Sequence, residues 1–247
     1  MTKQEILQKC TVDGNIIKLP EGQLERKLYT EVASALNLIG GKWVGHKTMG
    51  FVFPSDPTEL LSQIAGGESR NLKKEFQFFG TPDALADELV AKADIQLHHN
   101  VLEPSAGQGA IVKAIHRLDK NKKVECFELM DTNRMILEKI PNAIVTEEDF
   151  LKIGPEYLSQ YDRIVMNPPF QKNQDISHIQ HAFSLLTKGG RLVSVASTHW
   201  VSSKNKKETE FRNWLEKVGA VQEEISAGTF KESGTNIATM MIVIDKK

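Results

Sequence analysis

Cysteine is nearly missing from this chain: Cys10 and Cys126 are the two among 247 residues, and they stand in no metal-ligand spacing. That excludes a disulfide framework and a cysteine-rich zinc site. Long apolar runs are missing too, and the start, MTKQEILQKC, has no signal-peptide core. The expectation is a protein of the reducing cytoplasm with no membrane partner. Excess charge of either sign is also lacking, with 31 Lys and Arg against 32 Asp and Glu and a formal net charge of −1. Any basic surface for a polyanion must therefore be local. There is no internal repeat and no low-complexity tract. What remains is ordinary globular composition, 40% hydrophobic and 26% charged, in a chain long enough for one α/β domain and a smaller appendage.

The composition shifts near residue 75, at Gly66-Gly67-Glu68-Ser69-Arg70-Asn71-Leu72-Lys73-Lys74, a stretch poor in apolar residues that reads as a connection. Before it, Glu21 to Leu38 carries Leu24, Leu28, Val32 and Leu36 at a helical period, ended by Gly40-Gly41. Lys42-Trp43-Val44 and Gly50-Phe51-Val52-Phe53 read as a hairpin, and Pro57 to Ile64 as a short helix. Residues 1–75 thus form a small helix-and-hairpin unit, and residues 76–247 the main domain.

From Thr81 onward, helical and strand-like segments alternate, as in a parallel α/β sheet. Pro82 to Ala93 reads as a helix with Thr81 as N-cap and Pro82 at its first position. Strands are expected at Asn100–Glu103, Lys123–Phe127, Ala143–Thr146, Asp162–Met166 and Arg191–Ala196. The helices between and after them are Ile111–Leu118, Thr132–Lys139, Ile176–Leu186 and Lys207–Val218. The last two strands, Val221–Ile225 and Ala238–Ile244, are joined only by a loop, so they should be antiparallel.

Two segments carry chemistry. Val101-Leu102-Glu103-Pro104-Ser105-Ala106-Gly107-Gln108-Gly109 joins the first strand of this domain to a helix. Gly107 and Gly109 let backbone approach a ligand, and the helix N-terminus offers unpaired N–H groups. The spacing alone leaves a purely structural turn equally open. Glu128 closes the next strand about 20 residues on, where a carboxylate can hold ribose hydroxyls. Next, Asn167-Pro168-Pro169-Phe170 follows a strand at once, and two prolines force a turn at the carboxyl edge of the sheet. An aryl amine is a poor nucleophile because its lone pair is delocalised. Acceptors for its two N–H groups favour a pyramidal nitrogen and stabilise the charge that grows during attack on a methyl group. The Asn167 side-chain oxygen and the Pro168 carbonyl are such acceptors, and Phe170 offers a stacking face.

LEPSAGQG resembles the cofactor loop of class I amino-methyltransferases, and NPPF belongs to their Asn/Asp/Ser-Pro-Pro-aromatic motif. A nicotinamide fingerprint would need another glycine. The resemblance implies a Rossmann-like, mostly parallel seven-stranded sheet with an antiparallel last strand, and S-adenosyl-L-methionine as cofactor. It implies that Glu103, Gly107 and Gly109 surround the methionine part. Glu128 would hold the ribose, Asp149 and Phe150 would meet the adenine, and Ala106, Leu129 and Asn167 would be further cofactor contacts. The segment Phe78-Phe79-Gly80-Thr81-Pro82 resembles one placed before the cofactor loop in γ-type DNA adenine methyltransferases. It gives Thr81 and Pro82 a cofactor contact, with a plain helix cap as the alternative. The order of these motifs is also the γ-type order, and the late segment Ala227 to Asn236 looks like that of small phage and mobile-element enzymes.

The activity so implied is N6-adenine methylation of duplex DNA, the base flipped into a pocket at Asn167, Pro168 and Phe170. Such enzymes usually carry a sizeable recognition domain after the core, and here the residues after Phe170 complete the sheet. Recognition would fall to the first unit, to loops, or to a separate specificity or restriction partner. Lys42, Trp43, His46 and Lys47, and the basic stretch Ser202 to Lys207, are candidates for nucleic-acid contact. An RNA amino-methyltransferase, a protein glutamine methyltransferase and a non-catalytic subunit of the same fold are the alternatives. Asp175, His178 and His181 recur along one helix, but the motifs need no metal and none is expected. A monomer is the default.

Overall fold

The computed structural model describes residues 1–53, 56–75, 80–154, 156, 160–231 and 238–247. Phe78 and Phe79 of the segment before Thr81, and residues 232–236 of the late loop, lie outside them. The chain divides into two units, Met1–Phe78 with Met130–Met135, and Phe79–Leu129 with Ile136–Lys247.

The first unit opens with α1 (Lys3–Lys9), whose start is a capping box. The Thr2 side chain accepts from the Glu5 N–H, and the Glu5 carboxylate accepts from the Thr2 N–H. β1 (Thr11–Asp13) and β2 (Ile16–Lys18) follow, then α2 (Arg26–Leu38), β3 (Lys42–Val44), β4 (Gly50–Val52), α3 (Thr58–Ala65) and α4 (Leu72–Glu75). The four strands pair antiparallel in the order β1-β2-β4-β3. Ile6, Leu7, Ile17, Val32, Leu36 and Phe51 form the core between helices and sheet. The hairpin and α3 match expectation. α2 begins five residues later than its apolar period, because Gly22 sits at φ +109° and Glu25 is still extended. At its other end the Gly41 N–H donates to the Leu36 carbonyl, and a side chain on Gly41 would run into Phe53. α1, β1 and β2 had no counterpart in the sequence reading. The stretch expected as a bare connection holds α4.

The second unit is a seven-stranded sheet. In chain order it contains α5 (Asp83–Ala93), β5 (Val101–Glu103), α6 (Ala110–Leu118) and β6 (Val124–Phe127). After α7 (Asp131–Leu137) come β7 (Ala143–Thr146), β8 (Tyr161–Met166), α8 (Gln174–Leu185) and β9 (Leu186–Ser197). α9 (His199–Ser202), α10 (Lys206–Val218), β10 (Val221–Ile225) and β11 (Thr239–Asp245) complete it. The strand order is β10-β11-β9-β8-β5-β6-β7. The five central and distal strands run parallel, while β11 is antiparallel to both β9 and β10. This is the mostly parallel sheet with an antiparallel closing pair that the resemblance implies.

Apolar cores lie on the two faces of the sheet, one around Leu89, Ile111 and Val193, the other around Ile164, Ile179 and Phe211. Burial on both faces explains why the second half of β8, Ile164-Val165-Met166, is wholly apolar. The chain steps one way from β5 to β7 and then returns to lay β8 on the other side of β5. Such a reversal opens a crevice at the carboxyl ends of β5 and β8, where open α/β sheets bind ligands.

Candidate active site

The loop leaving β5 is held by its own backbone. The Ala106 N–H donates to the Phe127 carbonyl at 3.0 Å, and the Gly109 N–H to the Ala106 carbonyl at 2.8 Å. Gly107 and Gly109 adopt φ +54° and +77°, which L side chains rarely tolerate. At Gly109 a side chain would collide with Leu137 and Ile140, so that glycine serves the packing of the protein itself as well as any approach of a ligand. Gly107 points its N–H at the end of β6, where Glu128 Oε2 accepts it at 2.7 Å. The glycine loop and the acidic strand end are thus joined in one structure.

Glu103, the last residue of β5, is the electrostatic anomaly of the site. Its side chain is 2% exposed, and among the described residues its Oε2 has no hydrogen-bond partner. Burial holds its carboxyl well above the usual carboxylate range, and the Glu128 charge raises it further; a backbone hydrogen bond from Val112 acts the other way. A buried acid beside a second acid is unfavourable for the protein alone and suited to a cation. Ser105 Oγ, two residues on, is likewise buried without a partner among the described residues.

The other expected cofactor residues are placed as follows. Ala106 is buried at the head of the loop, and Leu129 is exposed just past Glu128. Asp149 caps a 3-10 turn at Phe150–Lys152, its Oδ1 accepting from the Leu151 N–H at 3.1 Å. Phe150 is only 2% exposed, its ring closed in by Phe127, His178 and His181 at 5.5, 5.7 and 4.7 Å. The sequence reading made this ring a face for adenine. In the structure it is a buttress beneath the crevice, because three aromatic neighbours cover it.

Asn167, Pro168, Pro169 and Phe170 follow β8 directly. Pro168 is buried, and Phe170 packs half-buried against the core. The Asn167 Nδ2 donates to Thr81 Oγ1 at 3.1 Å across 86 residues of sequence. That contact overturns the expected cap. α5 starts at Asp83 with Pro82 in the N-cap position, and no side chain caps it. A proline at that position has already set the backbone, so the Thr81 hydroxyl turns to the amide instead. With its nitrogen on Thr81, the amide presents Oδ1 as its acceptor end.

Beyond Phe170 the chain makes a 3-10 turn, Gln171–Asn173, with Lys172 and Asn173 both left-handed at φ +55° and +60°. A polar chain holds it. Asn173 Nδ2 donates to Glu208 Oε1 at 2.9 Å, and Asn173 Oδ1 meets His199 Nε2. His199 Nδ1 lies at 2.5 Å from Ser197 Oγ, and the Ser197 hydroxyl and N–H both donate to Asp175 Oδ2, at 2.6 and 3.0 Å. Asp175 is 0% exposed. Sequence reasoning missed Asn173, Ser197, His199 and Glu208 as neighbours of the site. They come from four separate elements, and no local spacing links them. The Asp175, His178, His181 series does not converge: Asp175 faces Ser197, His178 Nδ1 faces the Gln174 carbonyl, and His181 lies against Phe150. Among the described residues, no group of three or more His, Cys, Asp or Glu could hold a metal ion.

Residues 80–224 match the family model of the methyltransferase small domain. The chain belongs to that family. The match runs from Gly80 through both motifs to β10, and the fold is that of class I methyltransferases. S-adenosylmethionine is the methyl donor that goes with it. The residues fit this donor: the orphaned buried oxygen of Glu103 suits a cationic group, and Gly107 and Glu128 bring a backbone N–H and a carboxylate to the same crevice.

Among solved structures, the M protein of the type I restriction enzyme EcoKI is similar over 98% of this chain and 56% of its own, with 16% identity and a TM-score of 0.58. The methyltransferase subunit of a type I restriction-modification system from Streptococcus thermophilus covers 68% of this chain and 44% of its own, with 18% identity and a TM-score of 0.59. Among curated proteins, the rRNA N(6)-adenosine-methyltransferase METTL5 of Danio rerio is 30% identical over 89 residues, 34% of this chain and 41% of that protein. The chain therefore spans less than two thirds of each of these relatives. Among the described residues, no helix is long and apolar enough to cross a membrane.

Proposed function

We propose that this methyltransferase transfers the methyl group to the exocyclic N6 of adenine in DNA. The observation that carries the reading is the Asn167–Thr81 hydrogen bond at the head of an Asn-Pro-Pro-Phe turn. An amide whose nitrogen is tied back directs its oxygen as an acceptor. The Pro168 carbonyl, on a turn stiffened by two prolines, is the second acceptor the amino group requires. Phe170 stacks the base, and a duplex substrate must have that base flipped out. Pro168 and Asn167 stabilise the positive charge that grows on nitrogen, and the product sheds one N–H proton to solvent.

The cofactor roles follow from the crevice. Glu103 takes the cationic methionine end, with Gly107 and Gly109 shaping the backbone around it and Ala106 beneath. Glu128 holds the ribose, Leu129 flanks it, and Asp149 meets the adenine amino group. S-adenosylmethionine supplies an electrophilic methyl group when bound. Residues 1–75 serve nucleic-acid recognition, and 76–247 the chemistry. The likeness to the EcoKI M protein extends over 98% of the chain, first unit included, which favours DNA and a separate specificity partner.

The zebrafish relative favours a second reading, adenine in RNA, through the same turn and the same acceptors. Incubation with tritiated S-adenosylmethionine and, separately, unmethylated duplex DNA, total RNA and a protein extract decides between them. DNA label recovered as N6-methyladenine, and lost in Asn167→Ala, is the expected result. Label in RNA moves the substrate and keeps the chemistry. Cofactor binding with no label in any substrate overturns the enzymatic reading.

A further inference from the structure

One face of the first unit is neither core nor needed for methyl transfer. α2 buries Val32 and Leu36, and its periodicity puts Thr30, Ala33, Ser34 and Asn37 on the other side. With Tyr29, Leu38 and Asn71 they line a groove of about 450 Å³. That is within the size range of sites for small ligands. Small Ala33 leaves room in it, while Thr30, Ser34, Asn37 and Asn71 bring hydroxyl and amide groups to its walls. Tyr29 stands 6.5 Å from Trp43, edge to face, and both rings are open to solvent, at 36% and 42% exposure. Trp43 also rests edge to face on the core ring of Phe51 at 5.2 Å, which holds it beside Tyr29.

The charge beside the groove has a direction. Arg26 and Lys27, both exposed, continue the groove's row of α2 one turn toward the helix start, and the Thr30 hydroxyl donates to the Arg26 carbonyl. Trp43 leads into the hairpin tip that carries His46 and Lys47, also exposed, with Lys42 before it. Glu25 and Glu31 are the carboxylates on the same stretch of helix. Cations beside aromatic faces and amide edges are the chemistry of nucleotide recognition. Phosphates take the cations, bases stack on the rings, and Asn amides read base edges.

We propose that this groove binds one unpaired nucleotide of the substrate strand, its base against Tyr29 and Trp43 and its edge on Asn37. Only an unpaired base offers both its face and its pairing edge, and the volume admits a nucleotide, not a duplex. The inference rests on the nucleic-acid reading above, in which a base leaves the duplex stack, and adds to it a site for an unpaired nucleotide.

The test is equilibrium binding by the full chain. A fluorescent oligodeoxyadenylate, the matching oligoadenylate, and the same deoxy sequence as duplex are titrated at low and moderate salt, with methyl transfer measured in parallel. Single strands are expected to bind and to quench tryptophan emission. Trp43→Ala weakens them about tenfold or more, Asn37→Ala less, and Trp43→Phe keeps most of the affinity. Because Trp43 and Asn37 are exposed, unchanged melting curves show that the variants fold. Single-strand binding equal to wild type in Trp43→Ala and Asn37→Ala overturns the proposal, as does binding to duplex alone. If the groove variants lose binding while no nucleic acid is ever methylated, the groove stands and the functional reading falls. Methylation with unaffected binding in the variants removes the groove alone.

Discussion

Glu103→Gln should make the protein more stable and a poorer binder of its cofactor. Glu103 is fully buried, one of its oxygens lacks a partner among the described residues, and burial and then the Glu128 charge hold its carboxyl well above the ordinary range. The folded protein therefore keeps a proton that the unfolded chain loses near the usual carboxylate value. Between the two values the native state binds more protons, so stability falls as pH rises through that window, and the cost is complete above the folded value. A glutamine is neutral at every pH. Its oxygen can take the Val112 backbone hydrogen bond and its amide nitrogen can turn toward Glu128, which relieves a desolvation penalty of about 1–3 kcal/mol. The gain should be absent below about pH 4 and present near neutrality. The cofactor should respond in the opposite sense, because a charge-assisted hydrogen bond to a cation contributes about 1.5–3 kcal/mol, roughly 10- to 150-fold in affinity. Thermal melts from about pH 4 to about pH 8 read the first effect. Titration calorimetry with S-adenosylmethionine and S-adenosylhomocysteine, in buffers of different protonation enthalpy, reads the second. Equal weakening for both ligands assigns Glu103 to the ammonium, since only the first carries a sulfonium. Proton release on binding by wild type, lost in the variant, reports the ionisation directly. A variant that binds as tightly as wild type and melts no higher near neutral pH refutes the reasoning.

The polar contacts around the Asn-Pro-Pro-Phe turn give two further expectations. Thr81→Val keeps the shape of the side chain and removes the acceptor of the Asn167 amide, so single-turnover methylation should slow about fivefold to tenfold, from about 1 kcal/mol of lost orientation. Cofactor affinity should hold, and Thr81→Ser should restore the rate; a loss of cofactor affinity at an unchanged rate would instead make Thr81 a cofactor contact. Asp175→Asn keeps one oxygen for both Ser197 donors but removes the charge that strengthens those bonds and puts an NH2 where Oδ1 is buried without a partner among the described residues, at a cost of about 1–3 kcal/mol. A lower melting temperature and faster hydrogen exchange around Asn173 are expected, and wild-type values for both would show that the polar chain does not hold the turn.

The fold of the second unit was legible because its signals are local. Each strand from β5 to β8 is an apolar segment bounded by turn residues, and the antiparallel closing pair followed from the short connection before β11. The first twenty residues were harder, since β1 and β2 are three residues each and gain their identity only by pairing, β1 with β2 and β2 with β4. At the site, what the sequence could show was residue type at fixed spacing: glycines after a strand, an acid at the next strand end, prolines after a third. What it could not show was which groups meet across the sheet. Thr81 reads as a helix cap in one dimension, and only the parallel placement of β8 beside β5 brings Asn167 to it. Phe150 reads as an open ring until Phe127, His178 and His181 are seen to cover it.

The same distinction separates the two parts of the proposed chemistry. The methyl donor's side of the crevice is built from charge that the protein tolerates at a cost, with burial and then the Glu128 charge disfavouring the ionisation of Glu103. The acceptor's side is built from directed neutral dipoles, the Asn167 amide held by Thr81 and the Pro168 carbonyl on a turn stiffened by two prolines. This division suits a reaction in which positive charge moves from the donor to an amine. Neutral acceptors stabilise the transient charge and release the base afterwards, and an aspartate, which the motif also admits at this place, does so with a full charge. An acidic residue substituted for Asn167 tests the point. Asn167→Asp should keep the geometry of the acceptor yet lose the Thr81 contact in the form seen here, because a carboxylate can only accept where the amide donates. The Thr81 hydroxyl must then reverse and donate. If methylation by Asn167→Asp is slowed further by Thr81→Val, the hydroxyl positions either side chain. If Thr81→Val changes the rate of neither wild type nor Asn167→Asp, the hydrogen bond seen between the two side chains carries no part of the catalytic arrangement.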